Sequence, residues 1–196
     1  MPPKPVRWGR KLAELRAKDL NFDPAGRADH TPENGWYADD VRQPLPAGSF
    51  DAARRIARDY DFAEPSIVEG VFDREEPLEH RTMLLILHFL LLRIPVGVRV
   101  GEVYDETRTL DGREGRVWGW NYRTLEGHVE RGQMDWQVWC FPGGDVLFRI
   151  SSSAQPAGGG NIFMRLGFRL VGRREQLRFL HMTASRMARL TAQVRG

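Results

Sequence analysis

Cysteine is almost missing from this 196-residue chain: Cys140 stands alone, so no internal disulfide is available. That favours a reducing compartment such as the cytoplasm. Long apolar runs are missing as well. The most apolar stretch, Met83 to Val98, is interrupted by His88, Arg93 and Pro95, and its continuous pieces fall short of the roughly 20 residues a bilayer-spanning helix needs. No apolar signal core follows Met1-Pro-Pro-Lys-Pro. The histidines, His30, His80, His88, His128 and His181, are scattered without HExxH spacing, so no metal site and no cofactor are expected. Neither GxGxxG nor GxxxxGK occurs, and the glycines at 158–160 end without the lysine and hydroxyl that hold a phosphate.

What is present is ordinary globular composition, 41% hydrophobic and 28% charged residues. A chain of this length can bury roughly 70% of the surface its unfolded form exposes, enough for a core without staples. Charge is uneven. Arginine supplies 26 of the 29 basic residues, and residues 161–196 hold eight arginines against one acid, Glu175. The remainder is mildly acidic. Such a tail fits weak contact with an anionic surface, or an arginine-coated outer helix face. The tryptophans lie mostly in the acidic body, apart from that charge, so no specific nucleic-acid partner is expected.

Periodicity divides the chain. Residues 8–19 form a short helix with Leu12, Ala13 and Leu15 on one side. Residues 21–49, rich in Pro, Gly and Asp, read as an irregular wrapping segment that Trp36 and Tyr37 anchor to the core. Ser49 reads as the N-cap of a helix over about 50–60. Ser66–Phe72 reads as a short strand, and Leu78 to about Leu92 as a helix by length and leucine content. His88, inside that leucine run, reads as a satisfied core histidine.

From Val96 the period changes to two, and turn signals at Asp111-Gly112 and Pro142–Asp145 mark hairpins. Four antiparallel strands therefore occupy 96–152, with Trp118, Trp120 and Tyr122 on one face and Met134, Trp136, Val138 and Cys140 repeating the alternation. Phe163, Leu166, Leu170, Leu177, Leu180, Ala184 and Met187 then recur at helical spacing, with Gly167 and Gly172 as points of bending. This order predicts an α+β fold, a curved antiparallel sheet packed on a long C-terminal helix in a START-like, helix-grip arrangement. The expected division is 1–48, an N-terminal helix and wrapping segment, and 49–196, the α+β domain.

Polar chemistry concentrates in Gly119–Gly132, GWNYRTLEGHVERG. Asn121, Tyr122, Thr124, His128 and Glu130 fall within a short span that joins two strands. Three readings stay open: a structural brace, contact with a ligand, or acid–base work by His128 with Glu130 as its orienter. Two residues apart on a regular strand, both side chains would share a face.

The stretch Tyr122-Arg-Thr-Leu-Glu-Gly-His-Val-Glu-Arg-Gly132 resembles the Y-x-T-L-x-G-H-x-E-x-G signature of the DUF1990 family, also called UPF0548, whose biochemical function is unassigned. The resemblance continues through Val146–Ile150 and Ser151–Ala157 and covers about residues 15–190. Gln155 stands where the family often has arginine, which leaves neighbouring Arg149 to meet an anion. The resemblance implies the START-like fold, which often encloses an apolar ligand. A small hydrophobic or amphipathic ligand is accordingly the first expectation, with Trp120, Tyr122, Trp136 and Phe148 as apolar walls. Asn121, Thr124, His128, Glu130 and Arg149 would meet its polar end. The alternatives are an enzyme built on His128 and Glu130, and a protein acting through the arginine-rich terminal helix on a partner or a membrane surface.

Overall fold

The computed structural model describes residues 8–26, 30–89, 92–157 and 173–194. Its elements are α1 (Gly9–Arg16), a 3-10 turn (Pro32–Asn34), β1 (Tyr37–Leu45), α2 (Phe50–Arg58), β2 (Val68–Val71), β3 (Thr82–Phe89), β4 (Leu92–Leu110), β5 (Arg113–Thr124), β6 (Glu130–Cys140), β7 (Val146–Pro156) and α3 (Arg173–Gln193). The strands form one antiparallel sheet in the order β1-β7-β6-β5-β4-β3-β2. The fold is α+β, a curved sheet whose concave face closes on the C-terminal helix, as the element order predicts.

The meander β4–β7 follows the alternation in the sequence. Trp118, Trp120 and Tyr122 of β5 and Met134, Trp136 and Val138 of β6 face the same core as Val146, Phe148 and Ile150 of β7. Phe179, Leu180, Ala184 and Met187 of α3 cover them, with Phe50, Ala53 and Ala57 of α2 alongside. The hairpin at Asp111-Gly112 has both residues at positive φ, 51° and 77°, the conformation a two-residue turn of matching twist requires.

Three local expectations need correction. The run Leu78–Leu92 is not a helix but β3 and the start of β4. β3 is buried on both sides: Leu84 and Ile86 pack under α1 with Leu15 and Leu125, while Met83 and Leu85 enter the main core. A strand covered on both faces shows no alternation, so MLLILHF looks like a buried helix segment. The stretch 21–49 is not irregular throughout, because β1 pairs along its length with β7, from Tyr37↔Ala154 to Leu45↔Val146. As an edge strand β1 tolerates Pro44 and is largely solvated, which hides it from a reading by hydrophobicity. Ser49 does precede α2, but its hydroxyl makes no capping bond.

Trp36 is buried and stacked on His30, whereas Tyr37 is 39% exposed. β1, from the expected N-terminal segment, belongs to the same sheet as the rest. The expected helical positions Phe163, Leu166 and Leu170, with Gly167 and Gly172, lie outside the described residues.

The sheet is asymmetric at the β3–β4 hairpin. β4 meets β5 only from Val98↔Thr124 onward, so residues 92–96 pair with β3 alone. At about 3.3 Å per residue, the β3–β4 hairpin overhangs the end of β5 by roughly 15–20 Å.

Candidate functional site

The concave face is filled at one end and open at the other. In the filled part, Trp120, Trp136, Phe148 and Phe62 are fully buried. Phe62 and Tyr60, from the turn after α2, wedge between them: Phe62 lies 4.6 Å from Trp136 and 5.4 Å from Phe148 between ring centroids, and Tyr60 6.1 Å from both tryptophans. The Trp120 indole N–H donates to the Ala57 carbonyl at 3.2 Å. These aromatics interlock with each other and leave no room for a guest.

The open part lies beyond Tyr122, under the first turns of α3, and encloses a cavity of about 120 Å³. Its apolar wall comes from Ile67, Val68, Leu85, Leu87, Ile94, Met134, Ala154 and Phe179. Its polar side comes from Thr124, His128, Glu130, Ser152, Glu175, Gln176 and His88. Of the residues expected at a site, Tyr122, Thr124, His128 and Glu130 converge there. Trp120, Trp136 and Phe148 do not line it, because the turn after α2 fills their part of the face. Asn121 and Arg149 point through the opposite face of the sheet. There Asn121 Oδ1 accepts the Glu102 backbone N–H, and Arg149 pairs with Asp40 at 2.9 Å. Arg149 is therefore not placed to meet an anion in the cavity.

His88 is not the satisfied core histidine that its leucine-rich surroundings suggest. It lies half-buried on the cavity wall, with Nε2 buried and without a partner among the described residues. Leu87, His88 and Ile94 belong to the site although their run reads as a helix core. Once β3 is known as a strand, Leu87 shares a face with Leu85 and stands opposite Ile94 in the ladder, and that pairing is the signal that finds them.

The signature residues build the polar side. The Thr124 hydroxyl accepts the Gly132 N–H at 2.9 Å and donates to Asn21 Oδ1 at 2.6 Å, tying β5, β6 and the segment after α1 together. Asn21 Nδ2 in turn donates to the Glu130 carbonyl at 2.9 Å. A Cβ on Gly132 would lie 2.2 Å from the Ser153 carbonyl oxygen, so no larger residue fits where β6 and β7 press together. Gly127, at φ 84°, turns the chain so that His128 points back toward β6.

His128 and Glu130 both reach the cavity, but not as the expected relay. Nδ1 of His128 lies 3.0 Å from the Glu130 backbone N–H, which donates to it, and not from the Glu130 carboxylate. The Glu130 carbonyl, also 3.0 Å from Nδ1, already receives Asn21. Hydrogen-bond economy therefore assigns Nδ1 as acceptor and leaves the proton on Nε2. Burial lowers the His128 pKa to about 4, partly offset by the Glu130 carbonyl. Burial raises the Glu130 pKa to about 7, opposed by the nearby Arg173 guanidinium and reinforced by Asp39. Near neutral pH the site thus presents an uncharged imidazole and a carboxyl balanced between its two forms. Arg173 itself is committed to Asp39, at 2.6 Å.

Among the described residues no three His, Cys, Asp or Glu side chains converge as a metal ion would require. No helix of the described residues is long and apolar enough to cross a membrane.

The pattern of the domain of unknown function DUF1990 matches residues 20–186. The chain belongs to the DUF1990 family. Solved structures of the same fold include TTHA0849 from Thermus thermophilus. It is 11% identical, with a TM-score of 0.52 over 82% of this chain and all of that one. Another is the hypothetical protein jhp0584 from Helicobacter pylori, also 11% identical, with a TM-score of 0.50 over 84% of this chain and 93% of its own. At such identity the likeness shows fold alone. No curated protein sequence matches the chain.

Proposed function

We propose that this DUF1990 protein binds a small, largely apolar molecule in the cavity between the end of the curved sheet and the start of α3. The observation that carries this reading is the cavity itself: about 120 Å³ walled by aliphatic side chains, with Glu130 and His128 on one side. A well-packed domain closes voids of this size, and an apolar cavity of ~150 Å³ is known to take up a benzene-sized guest. Tyr122 and Thr124 border the guest. Trp120, Trp136 and Phe148 act from behind, as the rigid floor that keeps the space from collapsing. The single free cysteine, Cys140, keeps a reducing compartment such as the cytoplasm as the setting that suits this chain.

Native mass spectrometry of the purified protein against its denatured mass, followed by NMR titration with toluene, tests the reading. A retained small molecule, or saturable shifts at Leu85, Leu87 and Phe179, is the expected result. No retained mass and no shifts at millimolar toluene would overturn it.

One observation favours a second reading, an enzyme. Glu130 pairs a pKa near 7 with a place on the cavity wall, which is what a general acid–base requires. In this reading Glu130 moves the proton and the Nε2–H of His128 polarises the substrate, reversing the roles the sequence suggests. Glu130→Gln would then abolish turnover while leaving binding intact. The third expectation, action through the terminal helix, has less support: Arg173, Arg178 and Arg189 pair with Asp39, Glu175 and Glu64, and Arg186 donates to the Asp61 carbonyl. Arg165 and Arg169 lie outside the described residues.

A further inference from the structure

We infer that the polar end of the guest is an uncharged hydrogen-bond acceptor, a ketone, ester or ether oxygen, on a body about the size of one aromatic ring, and that carboxylic acids are poor guests. This rests on the cavity being a ligand site and names the chemistry that site selects.

The inference follows from counting which polar groups around the cavity are still free. Thr124 is spent on Asn21 and Gly132, and the Ser152 hydroxyl donates to Asp39 at 3.1 Å. Neither has a proton left to donate to a guest. Gln176 turns its oxygen to Arg173 at 3.0 Å, which leaves its Nε2 donor buried and without a partner among the described residues. His128 holds the Glu130 backbone through Nδ1, so its free ring atom is the Nε2–H donor. His88 Nε2 is without a partner among the described residues as well, and donates in one tautomer and accepts in the other. Gln176 Nε2 and His128 Nε2–H are thus the two fixed donors left over on the polar side, and a buried donor without an acceptor is costly. An oxygen with lone pairs and no net charge answers them.

Charge argues the same way. The basic residue nearest this side, Arg173, is already held by Asp39 through both guanidinium nitrogens. No other guanidinium or ammonium among the described residues lines the cavity. A guest carboxylate would enter beside Glu130 and near Asp39 with nothing to neutralise it. The volume sets the size, since about 120 Å³ takes a single ring and excludes a sterol or a long acyl chain held whole.

Four probes of one size separate these possibilities: toluene, acetophenone, benzoate and benzylamine, titrated into the full chain at pH 7 with dissociation constants read by NMR. Acetophenone is expected to bind at least fivefold tighter than toluene, at least tenfold tighter than benzoate, and tighter than benzylamine. His128→Phe and Gln176→Leu should each bring the ratio of acetophenone to toluene affinity below twofold. Equal affinity for toluene and acetophenone, or tightest binding of either charged probe, would overturn the inference and leave the binding function standing. If none of the four binds, the cavity is not a ligand site and both readings fall together.

Discussion

The two ends of the concave face share strands, curvature and a covering helix, and they differ in what descends onto them. At one end the turn after α2 delivers Tyr60 and Phe62, and the space between Trp120, Trp136 and Phe148 closes into a ring-on-ring core. At the other end no such wedge arrives among the described residues. Aliphatic side chains of β2–β4 and the first turns of α3 stand apart around open volume. Aromatic content therefore does not locate the cavity in this chain. A neighbouring segment decides whether an aromatic face becomes floor or wall.

The largest effect is expected from removing the filled end. Trp136→Ala should destabilise the domain by about 3–5 kcal/mol in urea unfolding, because a fully buried ring packed on Phe62, Phe148 and Phe179 leaves a void that rigid neighbours cannot close. A loss under about 1 kcal/mol would show that this end is as loose as the other. Next comes the brace between the ends. Gly132→Ala should cost about 2–3 kcal/mol, since its Cβ has no place against Ser153 and the two strands must part. A wild-type melting temperature would refute that close approach.

The pH dependence tests the open end. Glu130, with its pKa raised from 4.5 to about 7, favours the folded state while protonated, so its contribution fades as pH rises from about 4.5 to 7. His128, lowered from 6.5 to about 4, acts in the opposite sense and adds stability as pH rises from about 4 to 6.5. In the wild type the two slopes largely cancel. Glu130→Gln should uncover a rise on the order of 2 kcal/mol between pH 4 and 6.5, and His128→Gln a fall of similar size between pH 4.5 and 7. Parallel stability curves for both variants would mean that neither group is buried as described.

A smaller change in stability, with a large change in function, is expected from filling the cavity. Leu87→Trp grows into existing space, so unfolding should shift by less than about 1.5 kcal/mol while toluene affinity drops at least tenfold. Retained affinity would place the guest elsewhere. Arg178→Ala, on the outer side of α3 with its partner Glu175 one turn away, should change stability by less than about 0.5 kcal/mol.

Legibility in the sequence followed burial on one face. β5, β6 and β7 carry core residues on one side and polar ones such as Asn121, Asp135 and Gln137 on the other, so their alternation is plain. β3 is covered by α1 on one side and by the main core on the other, which erases the period. β1, at the edge, keeps few apolar residues to detect. In the site, Tyr122, Thr124, His128 and Glu130 were legible because a compact polar motif between two strands must end up at one rim of the sheet. Trp120, Trp136 and Phe148 share their face but not the cavity, because the wedge formed by Tyr60 and Phe62 is a tertiary event with no local signature. Arg149 was misplaced for a simpler reason: it alternates with Phe148 and Ile150, and only the inner members of that series reach the concave side.

The overhang of the β3–β4 hairpin has a kinetic consequence. Residues 92–96 lack the second ladder that steadies the rest of β4, and Leu85, Leu87 and Ile94, which wall the cavity, sit on or against that singly tethered stretch. Partial unzipping there opens a passage without disturbing the tryptophan-filled half. Guest residence time should consequently follow amide deuterium uptake at Leu85 and Leu87, and be indifferent to uptake at Trp120 and Trp136.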